Sequence, residues 1–318
     1  MKRIYYILCL GLFFACNKDN ELSTPDFEVS TTASTYKKDE AVVFSFSGNP
    51  QLISVYTGEL GKDYNFREGR TLDVTGLNLV FNSAVANEGA GTPQTGMFSL
   101  LVSSNFNGDY SSFATVQAAT WTDVTNRLTK QEATTTATST LATPAEGIDL
   151  SDLRVAGKPL YIAFRYNVRP QSINGIWRIW TFQGFSLTGN TSSGKQTLGN
   201  MASTAFRVVQ KNPEITSRTA TSATVLTLRH ADLALNPDAA EVATENWIIS
   251  QAFSNVNRID FGPDLSTPIQ GGTSAVEKKE FSYKFTKAGQ YSVYFVAANV
   301  SLDGKRETVR KVDLTITE

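Results

Sequence analysis

Apolar and polar residues alternate with a period of two along much of the chain, which is the pattern of half-buried β-strands. The segment AVVFSFSG at residues 41–48 places its two phenylalanines on one side and its serines on the other. FSYKF at residues 281–285 and VDLTIT at residues 312–317 alternate in the same way. YSVYFVAANV at residues 291–300 is more continuously apolar and predicts a more fully buried strand.

Segments with helical periodicity are scarce. The best short candidates are IDLSDL at residues 148–153 and part of RHADLALNPDAAEVA at residues 229–243. Turns rich in Gly, Asn, Asp and Ser separate the strand segments, and Val, Thr, Phe and Tyr are frequent within them. The sequence therefore predicts an all-β protein assembled from sandwich-like units.

Composition divides the chain after residue 24 into three blocks, at residues 25–71, 72–210 and 213–318. The first block holds few strands for a sandwich that must bury its own core. It either forms a small domain despite this, or pairs with strands from elsewhere in the chain. Residues 131–147 are rich in Thr and poor in large apolar side chains, which predicts a solvated loop inside the second block.

The N-terminus has the pattern of an export signal. Lys2 and Arg3 precede an apolar run at residues 4–15, which is too short to span a bilayer. Ala15 and Cys16 then resemble a bacterial lipobox of the loose Bacteroidota type, in which Cys16 is lipidated after removal of residues 1–15. The alternative is an ordinary secreted protein that is cleaved nearby.

The segment that follows Cys16 indicates where in the cell the protein is located. Residues 16–24 would form a lipid-anchored linker, and its polar start, NKDNE, resembles the surface-export signal of Bacteroidota lipoproteins. We therefore expect attachment to the outer membrane, facing the cell exterior. The only other cysteine, Cys9, lies inside the signal, so no disulfide is expected in the mature chain.

Charge argues against one class of partner. The formal net charge is −1, and removal of the signal would bring it to about −3. Because the chain has no block of Lys or Arg, we do not expect it to bind nucleic acid.

The segment GIWRIWTFQGF at residues 175–185 raises the question of a binding surface. If it is a strand throughout, Trp177 and Ile179 face one side, while Arg178 and Trp180 face the other. A two-layer sandwich needs only one of these faces for its core. The second tryptophan is therefore either a platform for a sugar ring or is covered by a neighbouring block.

Two blocks resemble known modules. LLVSSNFNGD, ATWTDVT, IDLSDL, KPLYIAFRYN and the closing Trp-x-Ile of residues 177–179 together resemble the galactose-binding-like jelly rolls of bacterial surface proteins. The last block, with a Lys-Ala-Gly turn before a Tyr- and Val-rich strand, resembles PKD-like immunoglobulin-type domains, and the first block resembles the front of a similar domain.

As a whole the chain resembles a family of Bacteroidota lipoproteins of unknown function found with SusC/SusD-type systems, which capture glycans at the cell surface. The resemblance implies a jelly roll flanked by Ig/PKD-like units. It also implies an accessory that binds a polysaccharide or oligosaccharide, with a SusC/SusD-like complex as a further partner.

Candidate catalytic chemistry is sparse. The chain has one histidine, His230, so a two-histidine zinc motif cannot be built, and no G-x-S-x-G segment accompanies it. The acidic residues could include a glycosidase pair, but nothing in the sequence singles one out. We therefore expect a protein without enzymatic activity, with an unrecognised hydrolase as the weaker alternative.

No cofactor is predicted beyond a candidate structural Ca²⁺. Asn107, Asp109 and Asp123 supply the oxygen ligands that calcium prefers, in NFNGDY and ATWTDV. The alternative is that these side chains cap polar turns.

The candidate ligand-binding residues are Trp180, Arg178, Tyr166 and Trp121. Sugar rings stack on exposed aromatic rings, although core packing is the alternative for each residue. An exposed aromatic beside a carboxylate, amide or Arg would favour glycan binding. Exposed aliphatic patches with the tryptophans buried would favour a structural lipoprotein that docks a protein partner.

Overall fold

The computed structural model describes residues 22–129, 143–271, 277–302 and 304–318. Strands dominate these residues, and the helices are short. The strands are β1 (Phe27–Thr31), β2 (Thr35–Lys37), β3 (Ala41–Gly48), β4 (Leu52–Tyr56), β5 (Arg70–Asp73), β6 (Gly76–Asn87), β7 (Phe98–Ser103), β8 (Thr122–Asp123), β9 (Ile148–Asp149), β10 (Tyr161–Val168), β11 (Arg178–Thr191), β12 (Gly194–Asn200), β13 (Phe206–Gln210), β14 (Ala220–Thr221), β15 (Leu226–Leu228), β16 (Thr244–Ser250), β17 (Arg258–Gly262), β18 (Thr267–Gln270), β19 (Glu280–Lys284), β20 (Gly289–Ser301) and β21 (Gly304–Thr317).

The α-helices are α1 (Phe113–Gln117) and α2 (Gln171–Asn174), and 3-10 helices form at Tyr64–Phe66, Thr125–Arg127, Ser151–Leu153 and Pro237–Glu241. The two predicted helical candidates therefore correspond to single 3-10 turns. No helix in the described part of the chain is long and apolar enough to cross a membrane.

The chain forms two compact units. Among the described residues, unit 1 combines those up to Gly69 with those from Pro263 to Glu318, and unit 2 is the intervening segment Arg70–Gly262. The chain enters unit 2 through β5 and leaves it through β17, and these two strands pair with each other in antiparallel register.

Unit 1 is a sandwich of a three-stranded sheet, in the order β1-β3-β19, and a five-stranded sheet, in the order β18-β4-β20-β21-β2. The alternating residues of β3 and β20 that point inward form its core. Phe44 packs against Phe295 with ring centroids 4.9 Å apart, and Phe27 packs against Phe46 at 5.5 Å. Each fully buried ring of this kind contributes about 1.5–3 kcal/mol by its removal from water.

Unit 2 is a larger sandwich. One sheet has the order β13-β16-β10-β7-β8, and the other has the order β14-β15-β11-β6-β9, with β12 paired to β11. A single apolar cluster fills the space between the sheets and includes Phe81, Phe164 and Phe182. A second cluster, around Phe106 and Trp247, lies on the other side of the first sheet. The predicted all-β sandwich class is thus confirmed.

The structure divides the chain differently from the three predicted blocks. β14 to β17 follow the expected boundary at residues 210–213, yet β15 pairs with β11 and β16 pairs with β10 and β13 in unit 2. The first block pairs with distant strands, because β3 binds β19 and β4 binds β20. The two flanking blocks therefore build one sandwich together, which is the second of the two alternatives for residues 25–71.

Candidate functional site

Three of the four predicted ligand-binding residues, Trp180, Arg178 and Tyr166, lie inside the protein. β11 begins at Arg178, so the strict alternation does not extend to Trp177, and both Trp177 and Trp180 belong to the core between the sheets with no exposed surface. Trp180 packs against Phe98 with centroids 5.3 Å apart. Its ring is therefore not presented to a ligand in this structure, and the core alternative accounts for it.

Arg178 and Tyr166 are also fully buried, next to Trp180 in the same unit. The Tyr166 hydroxyl donates a hydrogen bond to the backbone carbonyl of Arg178, which links β10 to the start of β11. The structure thus brings three of the four predicted residues together, but as interior groups that fix one end of the sandwich.

Trp121 lies apart from these residues and is partly exposed. Its Nε1 donates a 2.9 Å hydrogen bond to the Val116 carbonyl, and its ring meets the edge of Trp247 at 5.3 Å. These contacts attach the segment around α1 to the outer side of the first sheet of unit 2. They explain Trp121 as a packing residue.

The candidate calcium ligands are used within their own turns. Asn107 Oδ1 accepts a hydrogen bond from the Asp109 backbone N–H, and Asp109 Oδ1 accepts one from Ser111. Asp123 Oδ1 accepts one from the Thr125 N–H. Within residues 22–129 and the other described ranges, no three His, Cys, Asp or Glu side chains are grouped so as to hold a metal. A calcium ion at this loop stays a prediction.

Cys16, the predicted lipidation site, lies outside the described residues. The described chain of unit 1 begins a few residues after it, just before β1.

A group of exposed polar and aromatic side chains that the sequence analysis missed lies on unit 1. Tyr56, Tyr64 and Tyr294, here called the tyrosine cluster, are all partly exposed. Tyr56 and Tyr294 are direct partners across β4 and β20, on the face of the five-stranded sheet opposite the core. Tyr64 stacks on Tyr294 with centroids 4.7 Å apart and an interplanar angle of 18°, and it meets Tyr56 edge-on at 5.4 Å.

The loop after β4 brings Tyr64 to this sheet because of a tight approach at Gly58. Gly58 has a φ of +83°, and a Cβ at this position would lie 2.8 Å from the Ser292 carbonyl oxygen. Only glycine accepts this backbone conformation and this distance without strain. The loop can therefore turn directly against β20 and place Tyr64 over its neighbour.

Two cations flank the tyrosine cluster. The Arg67 guanidinium lies 4.2 Å from the centroid of the Tyr64 ring, and Lys311 Nζ lies 6.0 Å from that of Tyr294. Lys311 is the direct partner of Tyr294 across β20 and β21. Both cations are within the range of attraction to an aromatic face.

A polar depression of about 540 Å³ adjoins the cluster on the same strands. It is lined by Ser34, Gln290, Tyr291, Ser292, Asp313, Leu314 and Thr315. Ser292 is two residues from Tyr294 along β20, which corresponds to about 7 Å on one face of a strand. Aromatic rings and polar side chains therefore occupy neighbouring positions on one surface.

Asp313 is the charged group of this depression. Its carboxylate accepts a 2.7 Å hydrogen bond from the Ser292 hydroxyl and forms a 2.8 Å ion pair with Lys311. The hydrogen bonds from Lys311 and Ser292 lower the pKa of Asp313 below its usual value, and the same pair raises the pKa of Lys311. Asp313 therefore stays ionised and available as an acceptor at neutral pH.

The hydroxyl groups distinguish the tyrosine cluster from every other described tyrosine except Tyr161, which is buried. The hydroxyls of Tyr36, Tyr110, Tyr166, Tyr283 and Tyr291 each bond to a protein group. Those of Tyr56, Tyr64 and Tyr294 make no hydrogen bond to any residue that the structure describes. Three adjacent rings thus present both an apolar surface and free hydroxyls.

The fold defines the chain as an all-β protein in which one sandwich is inserted into another. The model of a family described as a domain of unknown function (DUF5017) matches residues 15–206, and the chain belongs to that family. The match covers the first part of unit 1 and most of unit 2. No curated protein matches the chain closely enough to be counted as a relative.

Proposed function

We propose that this protein is a non-catalytic glycan-binding accessory of a polysaccharide-uptake system, and that its ligand binds at the tyrosine cluster and the adjoining polar depression. The observation that supports this most directly is the set of three neighbouring, partly exposed tyrosines whose hydroxyls have no partner among the described residues. Beside them lie a carboxylate, an amide and two cations, which is the combination expected of a surface that binds sugars.

The chemistry of a sugar matches this surface. The C–H face of a pyranose can pack on the ring of Tyr56 or Tyr294, in the manner of other apolar contacts with aromatic side chains. The sugar hydroxyls can donate to Asp313 and exchange hydrogen bonds with Gln290 and Ser292. This assignment replaces Trp180, Arg178, Tyr166 and Trp121 as the proposed ligand-binding residues.

The proposal includes a place in the cell. Lipidation at Cys16 would attach the chain to the outer membrane through the segment that leads into unit 1, on the extracellular side, where a SusC/SusD-like complex is the proposed partner. Several acyl chains on one residue give stable anchoring, whereas a single chain is marginal. Mass spectrometry of the protein from its native membrane tests this part, because an unmodified Cys16 would contradict it.

Substitution of the clustered tyrosines tests the site. In the full mature chain, Tyr294→Ala should weaken retention by a bound polysaccharide in affinity gel electrophoresis by about tenfold or more, since it removes the central ring. The triple change of Tyr56, Tyr64 and Tyr294 to Phe should weaken retention with little effect on stability, because no described hydrogen bond is lost.

Tyr110→Phe is the matched control, because Tyr110 lies in unit 2 and lines neither the tyrosine cluster nor the depression. It removes a hydroxyl that donates to the Ser250 carbonyl at 2.8 Å. It should lower the free energy of unfolding by about 1 kcal/mol without changing retention. Equal retention of the wild type and Tyr294→Ala by every polymer that binds would reject the site.

A second candidate function is docking to a protein partner through unit 2. Ile173 on α2 and Leu235 are 84% and 76% exposed. They belong to neighbouring segments, because the Ser172 hydroxyl bonds to Glu241 in the 3-10 helix after Leu235. Replacement of both by Ser should abolish copurification with an outer-membrane partner and leave glycan retention intact if this second function holds.

A further inference from the structure

The charges around the tyrosine cluster narrow the class of its ligand. Lys311 pairs with Asp313 at 2.8 Å, and Arg67 pairs with Glu68 at 3.4 Å. The other polar side chains that line the depression, those of Ser34, Gln290, Tyr291, Ser292 and Thr315, are neutral at physiological pH. Both cations next to the rings therefore already have a carboxylate partner.

We propose, as a refinement that rests on the proposed function, that the tyrosine cluster binds a neutral glycan and discriminates against glycans that carry carboxylate or sulfate groups. An anionic ligand would have to displace Asp313 from Lys311 or Glu68 from Arg67. It would then meet the displaced carboxylate at short range with a charge of the same sign, which is unfavourable.

A neutral glycan avoids both costs. Its hydroxyls can donate to Asp313 and accept from Gln290, while the two ion pairs stay in place and present donors and acceptors together. Charge-assisted hydrogen bonds to an ionised group are stronger than those between neutral groups. The paired charges thus serve as hydroxyl-binding groups and do not attract an anion.

The salt dependence of binding distinguishes the two classes of ligand. The experiment is affinity gel electrophoresis of the full mature chain in neutral polymers (a mixed-linkage β-glucan, a galactomannan, an arabinan) and in anionic ones (polygalacturonate, chondroitin sulfate). We expect retention by at least one neutral polymer, changing less than about twofold between about 50 and about 500 mM NaCl, and none by the anionic polymers.

One kind of result would contradict the selectivity for neutral glycans, and another would contradict glycan binding at the tyrosine cluster. Retention by an anionic polymer that is lost in high salt and weakened by Tyr294→Ala would overturn the inference and leave the tyrosine cluster as a binding site. Retention by no polymer at all, or retention that Tyr294→Ala does not change, would overturn the proposed function itself.

A single substitution provides a sharper test. Asp313→Asn removes the carboxylate and leaves Lys311 without its partner on β21. We expect it to weaken retention by the neutral polymer about tenfold and to introduce a salt-sensitive retention by polygalacturonate. A melting curve checks that the variant is folded.

Glu307→Gln is the matched control, because it removes one negative charge from the same strand by breaking the exposed pair between Lys305 and Glu307. Glu307→Gln should change neither the retention by the neutral polymer nor the retention by polygalacturonate. If Asp313→Asn behaves as this control does in both kinds of polymer, the charges at the depression do not select the ligand and the inference is wrong.

Discussion

At the scale of single residues, a side chain that is chemically suited to bind a ligand can still be buried where no ligand reaches it. Trp180 has the chemistry of a sugar platform, but its ring is fully buried against Phe98. Trp180→Ala should therefore lower the free energy of unfolding by about 3–5 kcal/mol, as expected for a large cavity in a packed core. Urea denaturation followed by circular dichroism measures this change.

The same substitution should not affect glycan retention by molecules that remain folded. Trp180→Phe serves as its control, because it keeps an aromatic ring in the core and should cost less. Loss of retention by Trp180→Ala at unchanged stability would return the binding site to unit 2.

His230 connects the stability of unit 2 to pH. The imidazole is 1% exposed, packs 4.2 Å from the Trp177 ring, and has no side-chain hydrogen-bond partner at either nitrogen among the described residues. Burial lowers the pKa of His230 below 6.5. The nearby Ala239 backbone raises this pKa, but by less than burial lowers it. The folded unit therefore disfavours the charged imidazole.

The direction of the pH effect follows from this shift. Below the ordinary pKa of 6.5, the unfolded chain binds a proton that the folded chain does not. The free energy of unfolding should thus fall as the pH decreases from about 7.5 to about 5.5 and level off below the folded-state pKa. His230 is the only histidine in the chain, so His230→Phe should flatten the profile in this window, and an unchanged slope in urea titrations would contradict the assignment.

The sequence could predict which side chains of a strand share a face, but not which faces meet. Alternation placed the two phenylalanines of β3 on one side, and Phe44 and Phe46 are indeed buried. The tyrosine cluster joins Tyr56 to Tyr294, which are far apart in sequence, and no local pattern indicates that pairing. Trp180 was a candidate because alternation within one strand does not show whether the opposite face is covered by a second sheet.

At the scale of elements, the local alternation of apolar and polar residues predicted the positions of strands better than it predicted their partners. The alternating segments at residues 41–48 and 281–285 correspond to β3 and β19, and the more apolar segment at residues 291–300 lies within β20. The partner of each strand could not be predicted from the sequence, because β3 pairs with β19 across more than two hundred residues. Pairing of this kind depends on packing of whole sheets and leaves no trace in a short window.

The loop between β4 and the Tyr64 3-10 helix yields a prediction about its glycine. Gly58→Ala adds a methyl group 2.8 Å from the Ser292 carbonyl oxygen at a φ of +83°. We expect a loss of about 1–3 kcal/mol in the stability of unit 1 and weaker glycan retention, because the loop that positions Tyr64 must shift.

Gly194 supplies the control for this change. It has a φ of +96° with no atom within 4 Å of the added methyl group. Gly194→Ala should show the backbone cost alone, without an effect on retention. Equal losses in the two variants, measured by thermal unfolding, would mean that the contact with Ser292 is unimportant.

At the scale of the whole molecule, the two units differ in the continuity of their chain. Unit 2 is one segment, Arg70–Gly262, whereas unit 1 needs two segments, one on each side of unit 2 along the chain. A fragment of residues 70–262 should therefore unfold cooperatively in urea. A fragment of residues 22–69 should remain unfolded, because β4 would lack its neighbours β18 and β20.

Limited proteolysis of the intact chain measures the same difference without isolated fragments. Cleavage near residues 263–271 should destabilise unit 1 and spare unit 2. A stable, cooperatively folded fragment of residues 22–69 would contradict the assignment of unit 1.

Domain boundaries were the part of the architecture that the sequence could not supply. A composition change at residues 210–213 marked no structural boundary, because β15 and β16 continue the two sheets of unit 2 beyond it. An insertion leaves each half of the host domain looking like an incomplete sandwich. The sequence accordingly left open whether residues 25–71 stand alone.

The insertion also has a mechanical consequence. If the chain is tethered by its N-terminus and a polymer is held on β20 and β21, the route of the force from tether to ligand need not pass through Arg70–Gly262. From the tethered end the chain first enters β1, which pairs with β3, and then β2, which pairs in parallel with the C-terminal strand β21. Drag on a captured polymer would then be resisted by these strand pairs of unit 1.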